Sequence, residues 1–294
     1  MKDTFSQMHP ITNLVFFATV IAFSMFLMHP VCIAISLVCA CINAFYLGGR
    51  KTVLFSAKFL IPCIILVSLV NPLVNHRGVT IIEYLPWDNP LTLESVVFGI
   101  ASAILLCSAV LWFSCVNKVM TSDKLVYLFG KITPSFSLVL SMALRFVPRF
   151  MEQFKEVSIV QKQLYHTDHS FFQRLQSGVR ALSIMITKSL EGAIETSDSM
   201  KSRGYGLKGR TAFSLYMFTL RDRITLVCLL AETIFLITAI ALGKINFRYF
   251  PSIRGTVFDG FSFAFYIIYT ALMLTPFIIN VGEGWKWKRS RSKI

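Results

Sequence analysis

Six stretches of this sequence are apolar enough to cross a lipid bilayer, and a long charged stretch separates the first four from the last two. A transmembrane helix needs about 20 predominantly apolar residues. The candidates are Ile11–Met28, Val31–Leu47, Thr52–Val70, Leu93–Val116, Ile224–Leu242 and Phe261–Ile279. The predicted fold class is therefore all-α: a polytopic membrane helix bundle of about six spans with a long cytoplasmic or interfacial helical region.

The composition agrees with this membrane assignment. The 294-residue chain is 55% hydrophobic and contains 27 phenylalanines, and its mean hydropathy is +0.64. These values are too apolar for an ordinary soluble domain. We expect three parts: an N-terminal membrane bundle over residues 1–116, a helical region outside the bilayer over 117–223, and a membrane hairpin with a basic tail over 224–294.

Basic residues are concentrated on one side of the predicted bundle. The net charge is +14, and Lys2, Arg50 and Lys51 flank the first three spans, whereas Arg77 is the single lysine or arginine of the loop Asn71–Leu91. The positive-inside rule then places both termini and the charged region in the cytoplasm of a multi-pass plasma-membrane protein. Because the basic charge is explained as a cytoplasmic flank, we expect no nucleic-acid partner.

Within the charged region, apolar residues recur at three- and four-residue spacing. This spacing predicts a long helix with one apolar stripe, formed by Leu175, Val179, Leu182, Ile186 and Leu190. Charged residues occupy its other face. Each charge costs roughly 2.5 to 3.5 kcal/mol at the bilayer centre, against about −0.5 kcal/mol for a leucine or isoleucine, so this helix cannot span. It lies on or below the membrane.

An earlier helix of the same region is predicted to begin at Pro134, because proline suits the first turn of a helix. It passes through Arg145, and Pro148 either kinks it or restarts it as Arg149–Tyr165. Its uncharged part is too short to cross a bilayer. We expect it to be re-entrant, interfacial or buried under the spans.

The long striped helix is predicted to end at Ser202-Arg203-Gly204. Glycine is the preferred residue just beyond a helix C-terminus, and Gly206 follows. Lys201 and Arg203 stand in the last turn, where cations interact favourably with the helix dipole.

Four motifs, in this order, resemble those of the transmembrane T component of energy-coupling factor (ECF) transporters, the EcfT/CbiQ family. They are His9-Pro10-Ile11-Thr12-Asn13, Asn71-Pro72-Leu73-Val74-Asn75, Met142-Ala143-Leu144-Arg145-Phe146-Val147-Pro148 and Ser199-Met200-Lys201-Ser202-Arg203-Gly204-Tyr205-Gly206. The resemblance extends to about Leu242. It implies a scaffold, without enzymatic activity or cofactor of its own, that joins a membrane S component to two cytoplasmic ABC-type ATPases for uptake of a vitamin or metal ion.

The resemblance also implies roles for individual residues. In that family, Ala-Arg-Gly-like motifs at the ends of two coupling helices dock into grooves on the ATPases. Ser202, Arg203 and Gly204 match the second motif, with serine in place of alanine. The apolar stripe would face the S component, and Arg145 and Pro148 would belong to the first coupling helix.

The first docking motif departs from the family pattern. Its place is near Lys162, Gln163, Leu164 and Tyr165, and Leu164 stands where the arginine would be. Either one ATPase docks through apolar contacts, or Lys162 substitutes from nearby. The segment Phe261–Ile279 and the basic tail also exceed the commonest family layout.

Other protein classes fit the sequence less well. A conventional ABC permease would carry its own substrate path. An ion-driven secondary transporter favours paired intramembrane acids and broken helices in inverted halves. Glu232 is the one acid in the interior of a predicted span, since Glu94 is the second residue of Leu93–Val116. An intramembrane acid can mark a proton or cation path. Because no second acid forms a relay, we expect Glu232 instead to hydrogen-bond to Thr233 or to a neighbouring span. The sequence shows no convergent polar groups, cofactor motif or metal-ligand set of the kind an intramembrane enzyme requires.

Overall fold

The computed structural model describes residues 3–75, 78–84, 90–164, 171–207, 216–243, 245–255 and 260–291. In this part of the chain the elements are α1 (Pro10–Phe26), α2 (Pro30–Val74), β1 (Ile81–Tyr84), β2 (Pro90–Thr92), α3 (Leu93–Val119), α4 (Ser122–Ile132), α5 (Pro134–Leu164), α6 (Phe171–Ser202), α7 (Leu220–Ala241), β3 (Phe247–Arg248), β4 (Arg254–Gly255) and α8 (Gly260–Arg291). The predicted all-α membrane fold is confirmed, and the strands form two short antiparallel hairpins in loops.

The chain divides into two compact units. The membrane unit combines Met1–Thr121 with Tyr216–Ile294. Unit 2 is Ser122–Leu215, which lies within the region predicted to be cytoplasmic. The membrane unit therefore contains α1 to α3, α7 and α8. Unit 2 contains α4 to α6.

Four helices of the described residues are long and apolar enough to cross a bilayer: Pro30–Gly49, Leu93–Val119, Leu220–Ala241 and Gly260–Trp285. Two shorter apolar helices, Pro10–Phe26 and Leu60–Val74, lie at the first and third predicted spans. The predicted number of six is therefore not confirmed. The 17 residues of α1 make about 26 Å at 1.5 Å per residue, slightly less than the ~30 Å hydrocarbon core.

The second and third predicted spans are the two parts of α2. They meet at Gly49, whose φ of 66° and ψ of −176° interrupt the helix. Glycine adopts this positive φ without a steric penalty. Both parts contact α3: Trp112 Nε1 donates to Ser36 Oγ at 3.2 Å, and Cys107 Sγ donates to the Leu60 carbonyl at 3.9 Å.

The core of the membrane unit is built around Trp112, whose side chain is fully buried. Its ring meets Phe16 of α1 in a T-shaped arrangement, with centroids 6.2 Å apart. Aromatic side chains combine a large buried area with this directional contact. The single indole therefore joins α1, α2 and α3.

Helix α8 is an integral part of this core. Its inward residues Phe265, Tyr269, Leu272 and Met273 are fully buried. Asn43 Nδ2 of α2 donates to the Met273 carbonyl at 3.1 Å and to the Cys39 carbonyl at 2.9 Å. The segment that exceeded the expected family layout is thus packed into the core of the bundle.

A set of polar contacts, called the N-terminal clamp here, joins residues 3–9 to α7 and α8. Phe5 N donates to Asn280 Oδ1 at 3.0 Å, and Asn280 Nδ2 donates to Asp3 Oδ1 at 2.6 Å. His9 N donates to Asp222 Oδ1 at 2.9 Å. The start of α1, the start of α7 and the C-terminal part of α8 therefore meet at one end of the bundle.

The other end of the bundle is covered by the β3–β4 hairpin. Phe98, near the start of α3, contacts Tyr249 and Phe250. His29, just before α2, meets Phe247 with ring centroids 5.4 Å apart. Aromatic contacts thus hold the α7–α8 connection against the starts of α2 and α3.

Unit 2 differs from the prediction in two respects. Helix α4 was not predicted; it packs on the start of α5, where Ser137 Oγ donates to the Val126 carbonyl at 2.9 Å. Helix α5 begins at Pro134 as predicted and continues through Pro148. Of the two alternatives for Pro148, the restart at Arg149 is therefore wrong, whereas the kink stays a prediction. A proline removes one main-chain donor, which a helix with intact neighbouring turns can tolerate at a cost.

Candidate functional site

The C-terminus of α6 ends in a Schellman motif centred on Gly204. Tyr205 N donates to the Met200 carbonyl at 3.0 Å, and Gly204 N donates to the Lys201 carbonyl at 2.9 Å. Gly204 has a φ of 77°. This is the double hydrogen-bond pattern of a glycine-terminated helix. The predicted end of the long helix at Gly204 is confirmed.

The Schellman motif presents Arg203 and its neighbours at the surface of unit 2. Ser202 and Arg203 are exposed, and Ser202 Oγ donates back to the Ser199 carbonyl at 2.9 Å. Just beyond the turn, Tyr205 is 46% exposed and Leu207 is 71% exposed. A cation beside exposed aromatic and aliphatic groups has the composition of a protein-binding surface. The sequence analysis did not identify Tyr205 or Leu207 as site residues.

The first predicted docking motif lies at the end of α5. Gln163 is exposed and lies in the last turn. The main chain of Lys162 and Leu164 is helical there, while Tyr165 lies outside the described residues. Gln161 is buried instead, at 7% exposure, and faces α6.

A groove of about 540 Å³ lies between α5 and α6. It is lined by Glu156, Val157, Val160, Gln161, Arg180, Ser183, Ile184 and Lys188. The end of α5 therefore lies beside the middle of α6 and not beside its end. From Ile184 to Arg203, α6 extends about 28 Å at 1.5 Å per residue. Gln161, next to the first predicted docking motif, shares the groove with Ile184 and therefore lies about this length of α6 away from Arg203.

The apolar stripe of α6 lies away from this groove. Its five residues, Leu175, Val179, Leu182, Ile186 and Leu190, are 56–63% exposed. At about 100° per residue, their positions fall on the helix face opposite to Ile184 and Lys188, which line the groove. The described part of the chain does not cover the stripe. Arg145 and Pro148 of α5 are also exposed.

The N-terminal clamp contains polar residues that the sequence analysis missed. Asp222 accepts from Thr219 N at 2.9 Å and from Thr219 Oγ1 at 2.6 Å, in addition to His9 N. The Thr219-x-x-Asp222 spacing resembles a capping box, so the sequence could have predicted the bonds between these two residues. The partner His9 lies 213 residues away, and no local pattern indicates such a contact.

The predicted bond between Glu232 and Thr233 is wrong. Thr233 Oγ1 donates to the Leu229 carbonyl at 2.6 Å, because a helical threonine reaches the carbonyl four residues earlier. Among the described residues, Glu232 Oε2 is buried and has no hydrogen-bond partner. The structure therefore assigns no neighbouring span as its partner.

Comparison with known families supplies the decisive observation. The sequence profile of the family described as "CbiQ: Cobalt transport protein" matches residues 2–214, which include α1 to α6. This chain belongs to the CbiQ family. Helices α7 and α8 lie beyond the matched region. Together with its long apolar helices, the membership identifies a membrane protein of a transporter family.

Two relatives of this CbiQ-family chain agree with that assignment. The energy-coupling factor transporter transmembrane protein EcfT of Bacillus selenitireducens is 25% identical over 198 residues, which cover 63% of this chain and 74% of the relative. The EcfT protein of Streptococcus thermophilus is 29% identical over 97 residues, which cover 32% of this chain and 37% of the relative. The resemblance to the EcfT/CbiQ family, inferred above from four motifs, is confirmed.

Proposed function

We propose that this chain is the transmembrane coupling component of an ECF-type importer, in which unit 2 docks two cytoplasmic ABC-type ATPases and binds a small membrane S component. One observation carries the proposal. A 32-residue helix ends in an exposed Arg203 and bears an apolar stripe that the described chain leaves uncovered. Membership in the EcfT/CbiQ family supports this interpretation. Both termini and unit 2 would lie in the cytoplasm.

The chemistry of Arg203 suits docking to an ATPase. A guanidinium makes forked, charge-assisted hydrogen bonds to a carboxylate, which a lysine cannot reproduce. Gly204 lets a partner main chain approach closely because it has no side chain. Ser202, Tyr205 and Leu207 would form the surrounding contact. The ATPase would supply a carboxylate at the bottom of its groove.

The second ATPase would dock at the end of α5. Gln163, Leu164 and Tyr165, with Lys162 beside them, stand at the position of the first family motif. Two explanations stay open for the missing arginine: apolar docking, or substitution by Lys162. The separation of about 28 Å along α6 supports two independent docking points over a single combined one.

Helix α6 would transmit motion from the ATPases to the S component. It is continuous from Phe171 to Ser202, so a displacement of its Arg203 end also moves the stripe residues. Packed helices shift between discrete arrangements and do not deform continuously. On α5, Pro148 leaves the Leu144 carbonyl without a helical donor, which lowers the cost of bending beside Arg145.

The transported substrate would be selected by the S component. The chain itself would be neither an enzyme nor a holder of cofactors, since ATP hydrolysis would occur on the partner ATPases. Vitamins and transition-metal ions are both candidate cargoes. The family description, which names cobalt transport, supports a metal ion.

The decisive experiment compares ATPase co-purification with Arg203 variants. Arg203→Ala leaves a carboxylate of the partner buried and unpaired, which costs roughly 2–5 kcal/mol of docking energy. We expect Arg203→Glu to abolish co-purification and Arg203→Lys to weaken it, with membrane insertion unchanged. Lys155→Glu is the matched control, because Lys155 is exposed on α5 and the charge change is identical.

Three results would contradict the proposal. The first is an undiminished ATPase complex with Arg203→Glu. The second is labelling of Arg203→Cys in intact cells by a membrane-impermeant maleimide, which would place the site outside the cell. The third is solute transport by the chain alone in liposomes under an ion gradient, which would indicate a secondary transporter.

A further inference from the structure

Helix α8 continues past its apolar span into a basic segment that the proposed function leaves unused. The span is Gly260–Trp285, whereas the helix extends to Arg291. The six additional residues add about 9 Å. The headgroup regions bring a bilayer from about 30 Å to about 40–45 Å, so this extension has the length needed to cross one headgroup layer.

The composition of the extension matches that layer. No acidic side chain occupies positions 284–294, whereas four of the six positions 286–291 are basic and a further lysine follows in the sequence. The basic residues are Lys286, Lys288, Arg289, Arg291 and then Lys293. At about 100° per residue, the first four are distributed around the helix axis and not along one face. A single concave site on a protein would meet only some of them. Lipid headgroups surround a helix on all sides.

Tryptophan marks the boundary between the apolar and basic parts. Trp285 is the last residue of the span, and its side chain is 78% exposed. Exposed tryptophans are characteristic of the membrane interface. The basic residues therefore begin where the lipid phosphates are expected.

The same end of α8 holds other elements of the membrane unit. Asn280 binds the N-terminal segment through Phe5 N at 3.0 Å. Glu283 pairs with Arg221 in the first turn of α7, with 2.8 Å between Oε1 and Nη1. A contact that fixes the basic end of α8 therefore also restrains the N-terminal segment and the first turn of α7. In the sequence, α7 is the first helix after unit 2.

We propose that residues 286–291, the basic end of α8, form a binding surface for anionic phospholipid headgroups. This surface anchors the end of α8 and, through Asn280 and Glu283, the N-terminal clamp and the first turn of α7. Clusters of four to eight lysines and arginines directly after a transmembrane helix bind anionic lipids through their summed charge. The proposal concerns the isolated chain and does not depend on ATPase docking.

The test measures which lipids the full-length chain retains. The chain is released into mild detergent from bilayers of equal phosphatidylglycerol and phosphatidylcholine, and native mass spectrometry gives the ratio of the two bound lipids. We expect phosphatidylglycerol to be enriched. The triple variant K286Q/K288Q/R291Q should lower the ratio at least about fivefold. Raising the salt from about 0.1 M to 1 M should remove the preference, since the Debye length falls from about 10 Å to 3 Å.

The matched control neutralises two basic residues of the β3–β4 hairpin, which lies at the opposite end of the bundle, together with Lys244, which precedes the hairpin in the sequence. K244Q/R248Q/R254Q should leave the ratio unchanged. If the C-terminal triple variant does not yield a monodisperse protein, R289Q/R291Q provides a milder test at the end of the helix, with an expected decrease in the same direction.

Four outcomes would overturn the proposal. One is an equal ratio for the parent and the C-terminal variants. Another is an equal loss in the control variant, which would indicate a general charge effect. A preference that persists at high salt would exclude an electrostatic surface. Finally, the C-terminal triple variant could retain phosphatidylglycerol and lose an acidic protein that co-purifies with the parent chain. That result would show that the segment binds a protein and not lipid.

Discussion

The two units of the chain differ in how many of their large apolar side chains they bury. In the membrane unit, large side chains such as Trp112, Phe265 and Tyr269 are fully buried by the chain itself. In unit 2, Ala181 is the single buried hydrophobic residue among the described side chains. Nevertheless α6 carries a regular stripe of leucine, valine and isoleucine. The membrane unit therefore has an apolar core of its own, whereas the described chain leaves the apolar stripe of unit 2 uncovered.

This contrast indicates where stability and function lie. Changes in the membrane unit should act on the folding of the isolated chain. Changes in unit 2 should act mainly on complexes, because few of its contacts are internal. The stability of variants of both units, measured on the isolated chain in detergent, therefore tests this distinction.

The largest effect on the isolated chain is expected for Trp112→Ala. The substitution removes a fully buried indole, its hydrogen bond to Ser36 and its contact with Phe16. Removing a buried tryptophan costs about 3–5 kcal/mol through lost burial and the resulting cavity. Thermal unfolding followed by circular dichroism should show a large decrease in Tm. A Tm within one or two degrees of the parent would show that the membrane unit does not depend on this core.

A smaller decrease is expected for Asp222→Ala in the N-terminal clamp. The carboxylate accepts from His9 N and from the main chain and hydroxyl of Thr219. Donors left unsatisfied at a buried site cost about 1–3 kcal/mol. Chemical unfolding of the isolated chain measures this loss.

The neighbouring Arg221→Ala is the control for the clamp. Its ion pair with Glu283 involves a side chain that is 65% exposed, and such pairs contribute about 0–1 kcal/mol. Equal losses for Asp222→Ala and Arg221→Ala would show that the clamp acts through charge alone.

The features that the sequence predicted correctly are those that depend on patterns of neighbouring residues. Apolar runs predicted where the apolar helices lie, although among the described residues four of these helices and not six are long enough to span a bilayer. Three- and four-residue spacing predicted α6, and Gly204 predicted its end. Each depends on residues within a few turns of one another. The same is true of the start of α5 at Pro134.

The features that the sequence did not reveal depend on long-range contacts or weak local signals. The bond between His9 and Asp222 and the bond between Phe5 and Asn280 join distant parts of the chain. Helix α4 is only 11 residues long, so it offers about three turns of periodicity. For Glu232, the local rule suggested Thr233, but the Leu229 carbonyl binds that hydroxyl instead.

Substitution of two glycines of unit 2 should change the stability of α6 by about 1 kcal/mol in opposite directions. Gly204→Ala places a side chain on a residue with φ of 77° and brings its Cβ to 3.0 Å from Leu207 Cδ1, which should cost about 1–2 kcal/mol. Gly192→Ala lies within α6, where an added Cβ meets nothing within 4 Å, and should stabilise the helix by up to about 1 kcal/mol.

Hydrogen exchange at the last turn of α6 distinguishes these two effects. We expect faster exchange of the Tyr205 amide in Gly204→Ala, because the Schellman hydrogen bonds weaken. Exchange at this amide should be unchanged or slower in Gly192→Ala. Faster exchange in both variants would mean that α6 does not tolerate added side chains in general, and the special role of Gly204 would be lost.

The smallest effect on the isolated chain is expected for the apolar stripe, and this prediction tests the contrast most directly. Leu182→Ala and Ile186→Ala remove side chains that the chain itself leaves more than half exposed, so each should change the free energy of unfolding by no more than about 0.5 kcal/mol. Co-purification of a small membrane partner should decrease, because the lost apolar area would be buried only in the complex. A loss of stability comparable to that of Trp112→Ala would show instead that unit 2 covers its own stripe. Removing a side chain destabilises the isolated chain only if that chain buries it.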